Sequence, residues 1–270
     1  MAENPVTVFD LFEDAVRPVL EAVPRRAVVE DLYNPGIRDE DIGRPEAGSA
    51  DPADLVAEAE RYLVLADSLA RMGIGEHGVL NETGRRVYSV MLKGPVRSVL
   101  SGVHENAPSP LDIRAYADEE AGILWYWRGD GTVSIRGSLF EELPDKIAEL
   151  LPEHPAGHGK AIRIRAGREG VVPAAQRRQA DAVRAMLARP RTGTILLDLM
   201  AFGTVFAEYP RHGFAVIDND LGRYALAVHD TEGEGGSPDC SLVLCEFSAE
   251  ALAGWIDVCL EVAMGGRDGD

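Results

Sequence analysis

From residue 96 onward the helical period gives way to short apolar runs that turn signals interrupt. Segments 96–103, 111–117, 123–127 and 132–136 are rich in β-branched and aromatic residues and read as strands. Asn106-Ala107-Pro108, Asp118-Glu119-Glu120 and Gly129-Asp130-Gly131 separate them. The last is a hairpin signal, because Asp-Gly supplies the positive φ that tight primed turns require. Strands joined by such short connections must be antiparallel, since a parallel pair needs a long crossover. The pattern returns in 161–165, 194–209 (with a bend expected near Gly203), 213–217, 223–229 and 241–247. This order predicts the α+β class, with antiparallel strands, rather than a doubly wound fold.

Helical periodicity brackets the strands. In 6–23, Val8, Leu11, Phe12, Ala15, Val16, Val19 and Leu20 share one face, with Pro18 as a kink or break. Asp51-Pro52 starts a second helix, whose stripe runs from Leu55 to Ala70 and stops at Gly73. Segment 84–94 is compatible with a short helix or a loop-to-strand transition. A helix is expected over 139–151, with Ser138 and Glu141 as a capping box. An Arg/Ala-rich helix is expected over 173–188, and Ser248 caps a last one reaching Met264. Each half therefore reads helix, about four strands in hairpins, helix, and two such halves predict a pseudo-two-fold arrangement. The expected division is 1–50, an N-terminal helix and acidic loop; 51–160 and 161–264, two α+β halves; and 265–270, a frayed tail.

The formal charge of −18 opposes binding to nucleic-acid phosphates or anionic lipid. One island departs from it: Lys160 to Arg191 holds nine basic residues against two acidic ones. That island is either a solvated Arg-rich face or a docking patch for an acidic partner. Cys240, Cys245 and Cys259, odd in number and lying in or beside apolar runs, favour a reducing compartment. The first fifteen residues lack a basic, then apolar, leader, and no run approaches the roughly 18 apolar residues of a membrane span. A cytoplasmic location is expected.

No motif anchors catalysis or a cofactor. Gly73-Ile-Gly-Glu-His-Gly78 matches G-x-G-x-x-G but follows a helix, where a phosphate-binding turn follows a strand. Gly157-His-Gly-Lys160 lacks the first P-loop glycine and the magnesium-binding hydroxyl. His154 and His158 are separated by Pro155 and Gly157, and Cys240 and Cys245 have no second ligand pair, so no metal site is expected. Asp218-Asn-Asp220-Leu-Gly222 lacks the distal calcium-binding glutamate and reads as a hairpin turn, with Asn and Gly for left-handed positions. His104, His212 and His229 are scattered at strand ends, without a G-x-S-x-G elbow. The expected class is non-enzymatic.

Several segments carry a resemblance. They are the Arg177–Arg189 helix, Gly213-Phe-Ala-Val-Ile-Asp218, Gly222-Arg-Tyr224 and Phe247-Ser-Ala-Glu-Ala-Leu252 in the second half. In the first half they are Gly122-Ile-Leu-Trp-Tyr-Trp127, Thr132-Val-Ser-Ile135, and Leu143 to Pro152 followed by Gly157-His-Gly159. Over 96–262 this succession resembles the EspG family, chaperones of actinobacterial type VII (ESX) secretion. The resemblance implies a pseudo-two-fold α+β fold, with a central antiparallel sheet and flanking helices, and no cofactor. It further implies binding of the tip of a PPE-like protein within a PE–PPE heterodimer. The loop from His104 to Leu111, with Asn106, Pro108, Ser109 and Pro110, would contribute to that binding, along with the last helix and the exposed sheet face. On that face Trp125, Tyr126 and Trp127 are candidate anchors, since aromatics concentrate interface energy; alternation along the strand would instead bury two of the three. A generic interaction scaffold or toxin-immunity partner, and an enzyme with a site assembled from dispersed residues, are the competing readings.

Overall fold

The structure, a computed structural model, describes residues 5–22, 67–107 without 68 and 78, 109–127, 133–201 without 168, 214–232 and 238–265. The expected helix over 51–72 (apart from its last turn), the acidic loop 33–52, the turn 129–131, the bend near Gly203 and the tail 266–270 lie outside the described residues.

Among the described residues nine strands form one sheet. They are β1 (Val96–His104), β2 (Leu111–Ala117), β3 (Ala121–Trp127), β4 (Val133–Leu139), β5 (Ile162–Ala166), β6 (Arg191–Ala201), β7 (Phe214–Asn219), β8 (Gly222–Glu232) and β9 (Pro238–Glu246). Their spatial order is β4-β3-β2-β1-β6-β7-β8-β9-β5, and every pairing is antiparallel. Two four-strand meanders thus run outward from a central β1–β6 seam, which pairs Val96 with Ala201 and His104 with Gly193. The seam closes a long stretch of chain and holds nine residue pairs in register. β5 precedes β6 in the chain yet lies at the far end of the second meander, paired with β9, and among the described residues it has no counterpart at the other edge.

The helices divide between the two faces by the parity of the strand residues. Phe214 and Val216 of β7 face α3 (Leu143–Ala148) and α5 (Ala249–Gly265), in a core with Leu100, Ile113, Leu124, Ile195, Ile147, Leu252 and Ile256. Ala215 and Ile217 face the opposite way, toward α1 (Val8–Ala22) and α4 (Arg177–Leu187), where Leu11, Ala15, Val183, Leu226 and Leu242 meet. Beyond them α2 (Glu82–Lys93) covers Tyr116 and Ile123.

Two local outcomes differ from the expectations, and one open alternative is decided. α1 continues through Pro18, where a kink or break was expected. Proline removes the amide that would bond the carbonyl four residues back. Here the Arg191 guanidinium donates to that carbonyl, Asp14 O, at 3.2 Å, and to Ala15 O at 2.7 Å. The capping box at Ser138 does not form. Ser138 stays in β4, a 3-10 turn spans Phe140–Glu142, and α3 begins at Leu143. Pro144 sets that start, because the first turn is where a missing amide costs least. Segment 84–94 resolves as helix, since Asn81 Oδ1 accepts from Gly84 N–H at 2.8 Å and caps α2. The glycine run before it closes a helix, with Gly73 at φ +70° and Ile74 N–H donating to Leu69 O.

Ile217 is fully buried between the sheet and its helices, whereas Val79 is 64% exposed. Ile217→Ala should lower the unfolding free energy by about 2–5 kcal/mol in urea titration, and Val79→Ala by less than about 0.5 kcal/mol.

Candidate functional site

Antiparallel register brings four chain segments to one end of the sheet. The β1–β2 loop (105–110), the start of β6, the β7–β8 turn and the 152–159 loop all lie there, because His104 pairs with Gly193 and Arg191 with Asn219. The β7–β8 turn has two residues, Asp220 and Leu221. Gly222 adopts φ +121°, as expected of a glycine in this turn. Asn219 instead works through its side chain, accepting Leu221 N–H at 2.8 Å, and is not among the positive-φ residues.

At the base of this end Arg223 and Asp218 form a bidentate ion pair, with Nε to Oδ1 and Nη2 to Oδ2 each at 2.7 Å, both side chains almost completely buried. Arg223 ties more than one strand. Its Nη2 also donates to Pro152 O at 2.7 Å, and its backbone N–H donates to Pro155 O. Its carbonyl accepts from Gly157 N–H and Phe247 N–H. Tyr224 completes the seat of the 152–159 loop, donating to His158 O and accepting His158 N–H. A side chain at Gly157 would place Cβ 2.4 Å from the Tyr224 ring, so only glycine lets the loop lie this close.

His104 ends β1 directly above this pair. Asn106 N–H donates to its Nδ1 at 3.1 Å, which puts the proton of the neutral ring on Nε2. Nε2 lies 3.3 Å from Asp218 Oδ2 but is not aligned for a hydrogen bond. His154 stands edge-on to the His104 ring and donates from Nε2 to Asn219 O at 3.0 Å. Ligand atoms of His104, His154 and Asp218 fall within 4.8 Å of one another. The donor set does not suit a metal, because both Asp218 oxygens are held by Arg223 and a cation would enter beside a buried guanidinium. The cluster acts as a polar clamp. Gly193 leaves room for it: a Cβ there would meet His104 Cδ2 at 2.2 Å.

The clamp carries the loop. Glu105 N–H donates to Thr192 O, and Ala107 N–H to His104 O. Glu105, Asn106 and Pro110 are exposed at the tip, while Ser109 and Leu111 are half-buried, Leu111 against the α3/α5 core. His104 is a correction to the expected contact set: its side chain is fully buried, so it supports the loop and presents nothing to a partner. Pro108 lies outside the described residues. Trp125 is half-buried against the α2 core, with the Arg114 guanidinium 4.7 Å from its ring centroid. Tyr126 projects to the other face, beneath Arg136. Trp127 pairs with Val133 through its backbone, and its side chain lies outside the described residues. The sequence reading missed the Asp218–Arg223 pair and the meeting of His104 with His154. A carboxylate and an arginine flanking a two-residue turn were the local signal.

Burial pushes the His104 pKa below its usual 6.5, His154 and Arg223 push the same way, and Asp218 and Glu105 oppose them. The folded state therefore prefers the neutral ring. Its contribution to stability is complete above about pH 6.5 and is lost as pH falls through the lower folded value. Urea midpoints should drop between pH 7 and pH 5, and His104→Gln should flatten that drop. Arg223→Met should cost about 3–5 kcal/mol at pH 7, because it strands a buried carboxylate, and adding Asp218→Leu should restore part of the loss.

Residues 47–238 match the sequence profile of the EspG family. A search of curated proteins finds no match to the chain. Among the described residues no helix is long and apolar enough to cross a membrane. The profile covers well over half of the chain, including the central seam, the clamp and the 105–110 loop, and the chain therefore belongs to the EspG family of ESX secretion-associated proteins.

Proposed function

We propose that the protein is a non-enzymatic cytoplasmic chaperone that binds the tip of a PPE-like protein within a PE–PPE heterodimer and keeps the pair soluble for export. The family match over 47–238 carries this reading. Its geometric support is the loop end of the sheet, where a polar tip is held on a rigid base. Glu105 N–H and the His104 ring fix the start of the loop, and Leu111 fixes its end in the core. A tip held in this way meets a client with little ordering cost. Asn106, Ser109 and Pro110, with Pro108 between them in sequence, form the contact set, and Trp125 and Trp127 extend it along β3. Leu221 is exposed on the β7–β8 turn at the same end and adds an apolar contact. Val258 is exposed on α5 and belongs to a second strip of the interface. The halves 51–160 and 161–264 act as one unit about the β1–β6 seam, related by an approximate two-fold.

Size-exclusion chromatography of the purified protein mixed with a PE–PPE heterodimer tests this. A 1:1:1 complex is expected. Asn106→Arg with Pro110→Glu should weaken it by about tenfold or more. The same pair should leave the urea midpoint within about 0.5 kcal/mol of wild type, since both side chains are exposed. A complex that ignores the loop substitutions would move the interface elsewhere, and absence of any complex would refute the proposal.

A further inference from the structure

Among the described residues β5 is the outermost strand at one edge of the sheet, paired with β9 and with no strand beyond it. Arg165 N–H turns away from β9 and donates to the Gln176 side-chain oxygen at 2.8 Å. Backbone direction alternates along a strand, so the N–H and C=O of Arg163 also point outward. Gln176 thus places one amide oxygen where the carbonyl of a tenth strand would sit. The edge beyond it carries Arg163 and Arg165 on one side, while Ile164 and Ala166 on the other are buried against α1 and α4.

The charge around this edge is unusual for the chain. Lys160, Arg163, Arg165, Arg177 and Arg178 are all exposed, and none forms an ion pair with another described residue. Arg184 and Arg189, further along the same basic stretch, do pair, with Asp181 and Asp220. Arg177 and Arg178 open α4 immediately after Gln176, a position where the helix dipole disfavours cations, and the first turn holds no acidic residue. Guarding the edge against aggregation would need only the two strand arginines. A second copy of the chain pairing through β5 would set Arg163 and Arg165 against their own kind, which is unfavourable.

We infer that the β5 edge is a docking site for an acidic, extended segment of a partner polypeptide, which adds as a tenth strand and sets its carboxylates against Arg163 and Arg165, while Arg177 and Arg178 add to the basic field of the edge. This site lies outside the loop end and does not depend on the client reading.

Fluorescence anisotropy with the full chain tests it, using three labelled probes: an alternating Glu-Val hexapeptide, the matching Lys-Val hexapeptide and a decathymidine oligonucleotide. The Glu-Val probe should bind at least about tenfold more tightly than either of the others, and more weakly as salt rises. Arg163→Glu with Arg165→Glu should reduce its affinity by about tenfold or more. Arg85→Glu, on α2, should leave it unchanged. Bound probe should slow hydrogen exchange at the Arg163 amide, the signature of strand pairing. Equal binding of the two peptides, oligonucleotide binding as tight as the acidic probe, binding that survives the double reversal, or binding without slowed exchange at Arg163 would each overturn the inference. So would failure of the acidic probe to bind at all.

Discussion

The buried pair of Asp218 and Arg223 is the constraint on which the loop end of the sheet depends. Two charges withdrawn from water are tolerated only when their hydrogen-bonding capacity is met, and Arg223 meets it by bonding the carboxylate twice and Pro152 O once. The geometry that satisfies the charges also fixes the chain around them. Arg223 draws the 152–157 segment onto β8 and receives the start of the last helical segment at Phe247. Asp218 leaves one edge for the His104 ring, and that ring accepts the Asn106 amide that begins the loop. The requirement of one ion pair thus becomes the posture of three loops.

Around this clamp the sheet supplies rigidity at long range. β1 and β6 come from different halves of the chain and pair over nine residues, so neither meander can shift without breaking the seam. The helices lock the two faces separately, with α3 and α5 packed together on one side and α1 and α4 on the other. Arg191 joins that second layer to the seam, reaching from β6 to carbonyls of α1 and to Leu187 O of α4. The same contact explains how α1 absorbs a proline.

Much of this was legible in the sequence, for physical reasons that can be named. Short runs of β-branched and aromatic residues and the turn signals between them act locally, so the meanders and the α+β class followed from adjacent residues. Pairings between distant segments leave no such trace. Nothing near 162–166 signals that this strand joins β9, and nothing near His104 signals Gly193 as its neighbour. The Ser138-to-Glu141 spacing suggested a capping box, yet Pro144 and the pairing of Ser138 with Gly122 decided the start of the helix. Polar residues in turns read as solvated by default, which hid Asp218 and Arg223. His104 was placed in the loop set by position, and only its burial distinguishes a support from a contact.

Under the proposed function, the clamp holds the 105–110 loop as the part of the molecule that receives the client. Amide hydrogen exchange of the protein, free and mixed with a PE–PPE heterodimer, addresses it most directly. New protection is expected at Glu105, Asn106, Ala107, Ser109 and Leu111, with the seam amides of β1 and β6 slow in both states. Protection appearing elsewhere while those loop amides exchange unchanged would contradict it.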